Sequence, residues 1–296
     1  MSKIAVTGGA GFIGSHIADH LVSQGHDVTI IDNFSTGLKK NIQHLENKVR
    51  VCEIDLRELE PLKQALDGIE YIFHQGALPS VPLSVKKPLD SHHCNITATL
   101  HVLMAAKDVG VKRLVYAASS SAYGEAQSDR KHEGLIPNPI SPYGVMKLTG
   151  EYYCKAFYAT YGLETVCLRY FNVFGPRQNP KSAYTGVMAI FIPLMLKGEQ
   201  PTIYGDGSAT RDFTYIQNVV EANMLALYAE KAPGETINIA CGASQTVKQI
   251  VDSLNQILGT NIEPKYAPPR PGAVSYTHLR AHETVLDLVC RLLLEK

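Results

Sequence analysis

Through the first half of the chain apolar residues fall into short unbroken runs: IAV at 4–6, VTII at 28–31, YIF at 71–73 and LVYA at 114–117. A strand with one wet face alternates apolar and polar positions, whereas a strand covered on both faces stays apolar throughout. Lys3–Val6, Val28–Ile31, Val49–Glu53, Tyr71–Phe73 and Leu114–Ala117 are therefore read as buried strands. Between them, His16–Ser23 and Leu89–Lys107 read as helices. Strand and helix alternating at this rhythm predict βαβ units, and hence an α/β fold with a doubly wound parallel sheet.

After Arg169 the texture changes to loops rich in glycine, proline and aromatic residues, with shorter helical patches at Val187–Leu196 and Asn218–Ala229. That composition predicts a smaller C-terminal substrate-binding lobe over 171–273, beside a cofactor-binding domain over 1–170. Some later segments are expected to return to the first domain. There is no internal repeat and no low-complexity linker, so a broad contact between the two, with a ligand cleft, is expected.

The chain has 296 residues, 45% of them hydrophobic, enough to bury a full core. Lysine plus arginine equals aspartate plus glutamate at 28 each. No global field then draws nucleic acid or an anionic membrane, and any phosphate site must be built locally from loops. The opening MSKIAVTGG enters an apolar strand without a charged-then-hydrophobic leader, which predicts a cytoplasmic protein. The longest apolar stretch, Val187–Leu196, is broken by Pro193 and falls short of the ~20 residues a membrane span needs. Cys52, Cys94, Cys154, Cys167, Cys241 and Cys290 are scattered without close pairs and read as packing thiols. His92-His93 and the other histidines lack metal-ligand spacing, so no metal site is expected.

Gly8, Gly11 and Gly14 in TGGAGFIGSH follow a predicted strand and open a predicted helix. In that context glycines allow a tight turn, close approach to a pyrophosphate, and close packing of helix on strand, which makes the sheet Rossmann-type. The helix start, with Phe12 and Ile13, offers free N–H groups and a positive dipole end to phosphates. Asp32 ends the second strand in VTIIDNFS, where an acid accepts hydrogen bonds from the adenosine ribose and repels a 2′-phosphate. NAD is thus favoured over NADP. The same acid could cap the loop that follows, and Asn33 joins it as a cofactor candidate. Asp55 and Leu56 suit the adenine edge, although Asp55 reads equally well as a turn former.

Ser141-Pro142-Tyr143 opens another helix, Ser141 placed to cap it and Pro142 in the first turn, where a missing N–H costs nothing. Tyr143 and Lys147, four apart, share one helix face. A free tyrosine, with a pKa of about 10, is too weakly acidic to serve as a base at neutral pH. An adjacent Lys147 cation and a positive nicotinamide ring would lower it, so that the tyrosinate could accept a proton from a sugar hydroxyl. Ser119, Ser120 and Ser121 follow the strand RLVYAA, at the sheet edge where such folds bind ligands.

With these residues the chain resembles the extended short-chain dehydrogenase/reductases, specifically the UDP-hexose 4-epimerases. The resemblance is carried by TGGAGFIGSH, DNFSTG, HQGALPSVPLSV, YAASSSAYGE, SPYGVMKL, LRYFNVFGPRQ and YGDGSATRDFTYI, and covers roughly residues 1–272. HQGALPSVP, SSSAYG and RYFNVFGPRQ look most like the branch acting on UDP-N-acetylglucosamine, sometimes also UDP-glucose. The resemblance implies Tyr143 as base, Lys147 as its electrostatic partner and ribose ligand, and Ser119 as the hydroxyl completing the proton path. It implies Gln75 and Ala77 beside the cofactor. Ser120, Ser121, Asn172 and Tyr204 would hold the UDP-sugar, with Arg211 and Arg270 gripping its diphosphate. The implied reaction is oxidation at C4, rotation of the keto-sugar and return of the same hydride to the opposite face, with NAD retained and a homodimer as the assembled state. The helices Leu89–Lys107 and Pro142–Tyr161 could form its seam.

Three rivals are weighed. A nucleotide-sugar 4,6-dehydratase needs an acid to expel water, yet Ser120 and Ser121 stand where its Asp-Glu pair would be. A UDP-uronate 4-epimerase or decarboxylase stays open, the latter because Glu125 could be enlisted. A non-catalytic NAD-binding module would be expected to lose Tyr143 or Lys147. The family pattern breaks after Arg270-Pro271-Gly272, where Ala273 replaces an expected Asp. Residues 274–296 resemble a read-through tail, not a native C-terminus, so reduced stability or weak activity is expected of the chain. In the resembling family a position near Thr277 controls room for an N-acetyl group, which leaves the acetylated and plain hexoses unseparated.

Overall fold

A computed structural model describes residues 1–126, 131–179 and 186–268. In chain order the elements are β1 (Lys3–Thr7), α1 (Phe12–Ser23), β2 (Asp27–Ile31), β3 (Val49–Cys52), α2 (Leu59–Ala65), β4 (Tyr71–His74), α3 (Val81–Lys86), α4 (Pro88–His92), α5 (Ala98–Val109) and β5 (Arg113–Ser119). There follow α6 (Pro142–Tyr161), β6 (Glu164–Tyr170), β7 (Val173–Phe174), α7 (Val187–Leu196), β8 (Thr202–Tyr204), β9 (Thr210–Asp212), β10 (Thr214–Tyr215), α8 (Ile216–Tyr228), β11 (Thr236–Ile239), β12 (Ser244–Thr246), α9 (Val247–Leu258) and β13 (Lys265–Ala267).

Seven parallel strands form one sheet in the order β11-β6-β5-β4-β1-β2-β3. The unbroken apolar runs are explained by its two covered faces. Ile4 and Val6 of β1 join one apolar cluster with Ile17 and Leu21 of α1 and Val219 and Val220 of α8. Ala5, between them, joins the opposite cluster with Leu62 of α2, Val102 and Leu103 of α5 and Phe157 of α6. This is the Rossmann-type doubly wound arrangement. Its strand order reverses between β1 and β4, and the crevice at their carboxyl ends is where such sheets bind ligands.

The predicted helix Leu89–Lys107 is a composite. Between α4 and α5 the backbone takes a π-helical turn over His93–Thr97, which brings Asn95 inward, where it is buried. A second, smaller core joins Phe191 and Met195 of α7 to Ile203 of β8 and Ile250 and Val251 of α9. The segment after α8 runs back, and β11 adds the seventh strand beside β6.

Candidate active site

Gly8 turns the chain out of β1 with φ +66, and a side chain there would lie 2.7 Å from the Gly76 nitrogen. A Cβ on Gly14 would lie 2.2 Å from the Gly8 carbonyl oxygen. Turn, helix and the loop after β4 are thus pressed together, which only glycine permits. Gly11 donates its N–H to Gly8 O at 3.0 Å. α1 then begins at Phe12 with no side-chain cap, so its first-turn N–H groups, those of Phe12 and Ile13 among them, stay available to an anion.

Asp32 is buried at the end of β2. One carboxylate oxygen accepts the Ala10 N–H at 2.9 Å and the other the Phe34 N–H at 2.8 Å. Burial pushes its pKa up, and these two bonds oppose that rise. The loop-capping role foreseen for Asp32 is therefore realised, and it seats the glycine turn on β2; each oxygen retains a second lone pair for a ribose hydroxyl. Asn33 donates to Asp55 at 2.9 Å, and Arg57 grips Asp55 through two side-chain bonds of 2.8 and 2.6 Å. That guanidinium holds Asp55 well below the usual carboxylate range. Leu56 packs under Gly76.

The loop after β4 carries Gln75 and Ala77 and is pinned from both sides. Thr99 donates to the Asn95 carbonyl at 2.6 Å and so accepts from His74 Nε2 at 3.0 Å; His74 Nδ1 then accepts from the Thr7 hydroxyl at 2.7 Å. Asn95 bonds both backbone groups of Leu78. The Gln75 amide donates to the Tyr170 hydroxyl at 3.1 Å and to Asn223 at 3.4 Å.

At the carboxyl end of β5 the serines meet α6. Ser141 caps this helix by accepting the Gly144 N–H at 3.1 Å, with Pro142 in the first turn. The Tyr143 N–H reaches the Ser84 hydroxyl of α3 at 3.0 Å. Ser119 Oγ accepts from the Ser121 N–H at 3.2 Å and from the Ser121 hydroxyl at 2.8 Å. A hydroxyl accepting two bonds has its own proton to give, and the Ser119 side chain acts to lower the pKa of the Tyr143 phenol. Lys147 is buried, donates to the Ala117 carbonyl at 2.7 Å and lies 4.9 Å over the Tyr116 ring.

The electrostatics depart from the sequence expectation. Burial pushes the Tyr143 phenol up to about 12, and the Ser119 bond only partly offsets that. Burial also pulls the Lys147 ammonium down to about 8. Desolvation dominates both shifts, and the ammonium is turned to Ala117 O.

Of the substrate candidates, Asn172 has φ +27 and donates its amide to the Asp212 carbonyl at 2.9 Å. Arg211 is partly buried and bonds the Thr210 carbonyl at 2.7 Å; Tyr204, at the end of β8, is exposed. Ser120 begins a short 3₁₀ turn beside Ser121. Arg270 and the tail 274–296 lie outside the described residues. Sequence reasoning missed His74 and Ser84, although both lie in the quoted HQGALPSVPLSV run, and it missed Asn95, a single polar residue outside the quoted motifs. It also missed Glu151, although that residue continues the four-residue spacing of Tyr143 and Lys147.

A family model described as NAD dependent epimerase/dehydratase matches residues 4–240. The chain belongs to this family. It is 39% identical over 278 residues to a putative UDP-glucose 4-epimerase of Methanocaldococcus jannaschii, covering 93% of this chain and 89% of the relative. The structure superimposes with a TM-score of 0.90 on a UDP-N-acetylglucosamine 4-epimerase of Methanobrevibacter ruminantium M1 solved with UDP-N-acetylmuramic acid, at 38% identity, covering 97% and 91% of the two chains. With a UDP-glucuronic acid 4-epimerase of Bacillus cereus, solved with UDP-glucuronic acid and NAD, the TM-score is 0.87 at 33% identity, covering 97% and 92%. As a member of the family the chain takes NAD as its cofactor, and the uncapped helix start, the glycine turn and the Asp32 carboxylate fit a dinucleotide. Among the described residues no group of three or more His, Cys, Asp or Glu could hold a metal ion, and no helix is long and apolar enough to cross a membrane.

Proposed function

We propose that this protein epimerises a UDP-hexose at C4, UDP-N-acetylglucosamine and UDP-glucose being the substrates to try first. The observation that carries this reading is Tyr143 and a buried Lys147, four residues apart on α6, meeting the Ser119–Ser121 hydroxyls at the carboxyl edge of the sheet. Bound NAD takes up and returns the C4 hydride. With NAD bound, its positive nicotinamide ring and the Lys147 ammonium would draw the Tyr143 phenol down from the value burial imposes, so that Tyr143 could accept the C4 hydroxyl proton and give it back, with the Ser119 hydroxyl helping to hold the tyrosinate. Phe12, Ile13, Asp32 and Asn33 hold the dinucleotide, with Asp55, Leu56, Gln75 and Ala77 around it. Ser120, Asn172, Tyr204 and Arg211 hold the UDP-sugar.

Positions 120 and 121 carry no acid to expel water, which disfavours dehydration. Glu125, the group a decarboxylase reading would use, is exposed, and its backbone N–H is tied to the Asn138 carbonyl. A second copy of the chain is the proposed partner, since Leu89, Val145 and Tyr152 are exposed apolar side chains on α4 and α6.

The test incubates the protein separately with UDP-N-acetylglucosamine, UDP-glucose and UDP-glucuronate. Epimer formation from either of the first two supports the reading, whereas carbon dioxide release or a 4-keto-6-deoxy product overturns it. Tyr143→Phe is expected to keep NAD yet lose at least ~10²-fold in rate, the low end for general acid–base catalysis. Unchanged turnover removes Tyr143 from the reaction.

A further inference from the structure

One buried ion pair lies directly behind the proposed catalytic helix and has no part in the chemistry assigned so far. Glu151 of α6 and Arg169 of β6 have side chains only 4% and 5% exposed. The guanidinium donates two bonds to the carboxylate, Nε to Oε1 at 2.9 Å and NH2 to Oε2 at 2.7 Å. Burying two charges carries a desolvation penalty of several kcal/mol per ion, and an apolar pair of like volume would fill the same space. A planar two-pronged contact does supply what an apolar pair lacks: a defined distance and orientation.

What it orients is informative. Tyr143, Lys147 and Glu151 succeed one another at four-residue intervals along one face of α6. From the other side, Arg169 lies in β6 opposite Ala118 in the register with β5, next to Tyr170, which pairs with Ser119. Its guanidinium also stacks over the Tyr123 ring at 4.6 Å. Tyr123 closes the serine turn and donates its hydroxyl to Asn238 of β11 at 2.8 Å. Arg169 therefore contacts Glu151 on the Tyr143–Lys147 helix and Tyr123, the residue that closes the Ser119–Ser121 turn.

Resting on the function proposed above, we propose that Glu151 and Arg169 are a positioning pair that sets the Tyr143–Lys147 helix in place against the serine turn. Neither residue handles the substrate. The pair also has an electrostatic consequence. Burial lowers the Lys147 pKa, and Cys154 and then the Glu151 carboxylate one turn along oppose that lowering. The other titratable or charged groups around Lys147 are Tyr143 and Cys154 on the same helix, Cys167 and the Glu151-bound Arg169 on β6, Tyr116 on β5 and His74 on β4.

The test uses Arg169→Lys and the double variant E151L/R169M as NAD-loaded enzymes, assayed on whichever UDP-hexose the parent protein turns over. Arg169→Lys keeps the charge but loses the two-pronged contact. It should lower kcat at least ~10-fold while KM stays within ~2-fold, since sub-ångström misplacement acts mainly on the reacting geometry. The double variant keeps the volume without buried charge and should remain folded. Its kcat should stay low with KM near native, because volume is kept while the two-pronged contact is not. Native kcat in both would overturn the proposal and leave the pair a packing feature. Tyr143→Phe run in parallel separates the two readings. Normal turnover there sinks the assigned active site, whereas an inactive Tyr143→Phe beside unaffected pair variants sinks the positioning pair alone.

Discussion

His74 shows how a single buried side chain organises a binding loop. Its two ring nitrogens bridge Thr7 at the end of β1 and Thr99 in α5, and the loop it starts carries Gln75 to Ser80. Burial holds the imidazole neutral, with its pKa pulled down to about 3 from the ordinary 6.5, the Lys147 charge adding to the effect. The unfolded chain takes up a proton at this histidine below pH 6.5 and the folded chain does not. Stability is therefore unaffected by this group above that pH and falls as the pH drops toward about 3, by up to ~1.4 kcal/mol per pH unit. Thermal melts taken between about pH 7.5 and pH 4 check this, and His74→Asn should flatten the slope even though it lowers stability throughout. An unchanged slope would show that other groups govern acid unfolding.

At the scale of elements, α6 is placed by its glycines as much as by its cap. Gly150 is buried against β5, and a Cβ there would lie 2.2 Å from the Tyr116 hydroxyl and 2.5 Å from its Cζ. The ring that meets Gly150 is the one beneath Lys147. Replacing a mid-helix glycine by alanine ordinarily stabilises by ~1 kcal/mol. Overfilling a packed core costs ~1–3 kcal/mol, and here the obstacle is a fully buried ring. Gly150→Ala is thus expected to lower the urea midpoint and to reduce turnover together, by pushing the Tyr143–Lys147 helix off the sheet. A raised midpoint would mean that Tyr116 yields easily.

At the scale of the molecule, the sheet is not completed by the first 170 residues. β11 pairs with β6 along Thr236–Ile239, and α8 covers the α1 side of the sheet. Arg113 at the start of β5 is almost buried and reaches the carbonyls of Ala226, Leu227 and Ala229 at 2.8–3.1 Å. It thereby caps the carboxyl end of α8, where cations are favoured. A fragment of residues 1–170 would expose that apolar face and leave the buried Arg113 without these acceptors. It is expected to be unfolded or molten by near-ultraviolet circular dichroism, and a cooperative melt with NAD binding would contradict this.

Local patterns carried much of this architecture. Continuous apolar runs are what a strand covered on both faces must look like, so IAV, VTII, YIF and LVYA announced the parallel sheet. Ser141-Pro142 marked the start of α6 because a cap and a first-turn proline act within a few residues. The helix Pro142–Tyr161 also set Tyr143 and Lys147 on one face by its period alone. Leu89–Lys107 was less legible, since a π-helical turn preserves helical character while changing which residue faces inward. The roles of Asp32 and Lys147 were only partly visible, because hydrogen-bond partners such as Ala10 N–H and Ala117 O come from other strands. The sequence by itself thus determined the fold class, the glycine turn and the Tyr-Lys spacing, all consequences of interactions within a few residues. Only the tertiary structure decided that Ser121 donates to Ser119, and that burial raises the Tyr143 pKa and lowers that of Lys147. It also decided that Arg169 meets Glu151, for these depend on long-range packing and desolvation, which no local pattern encodes.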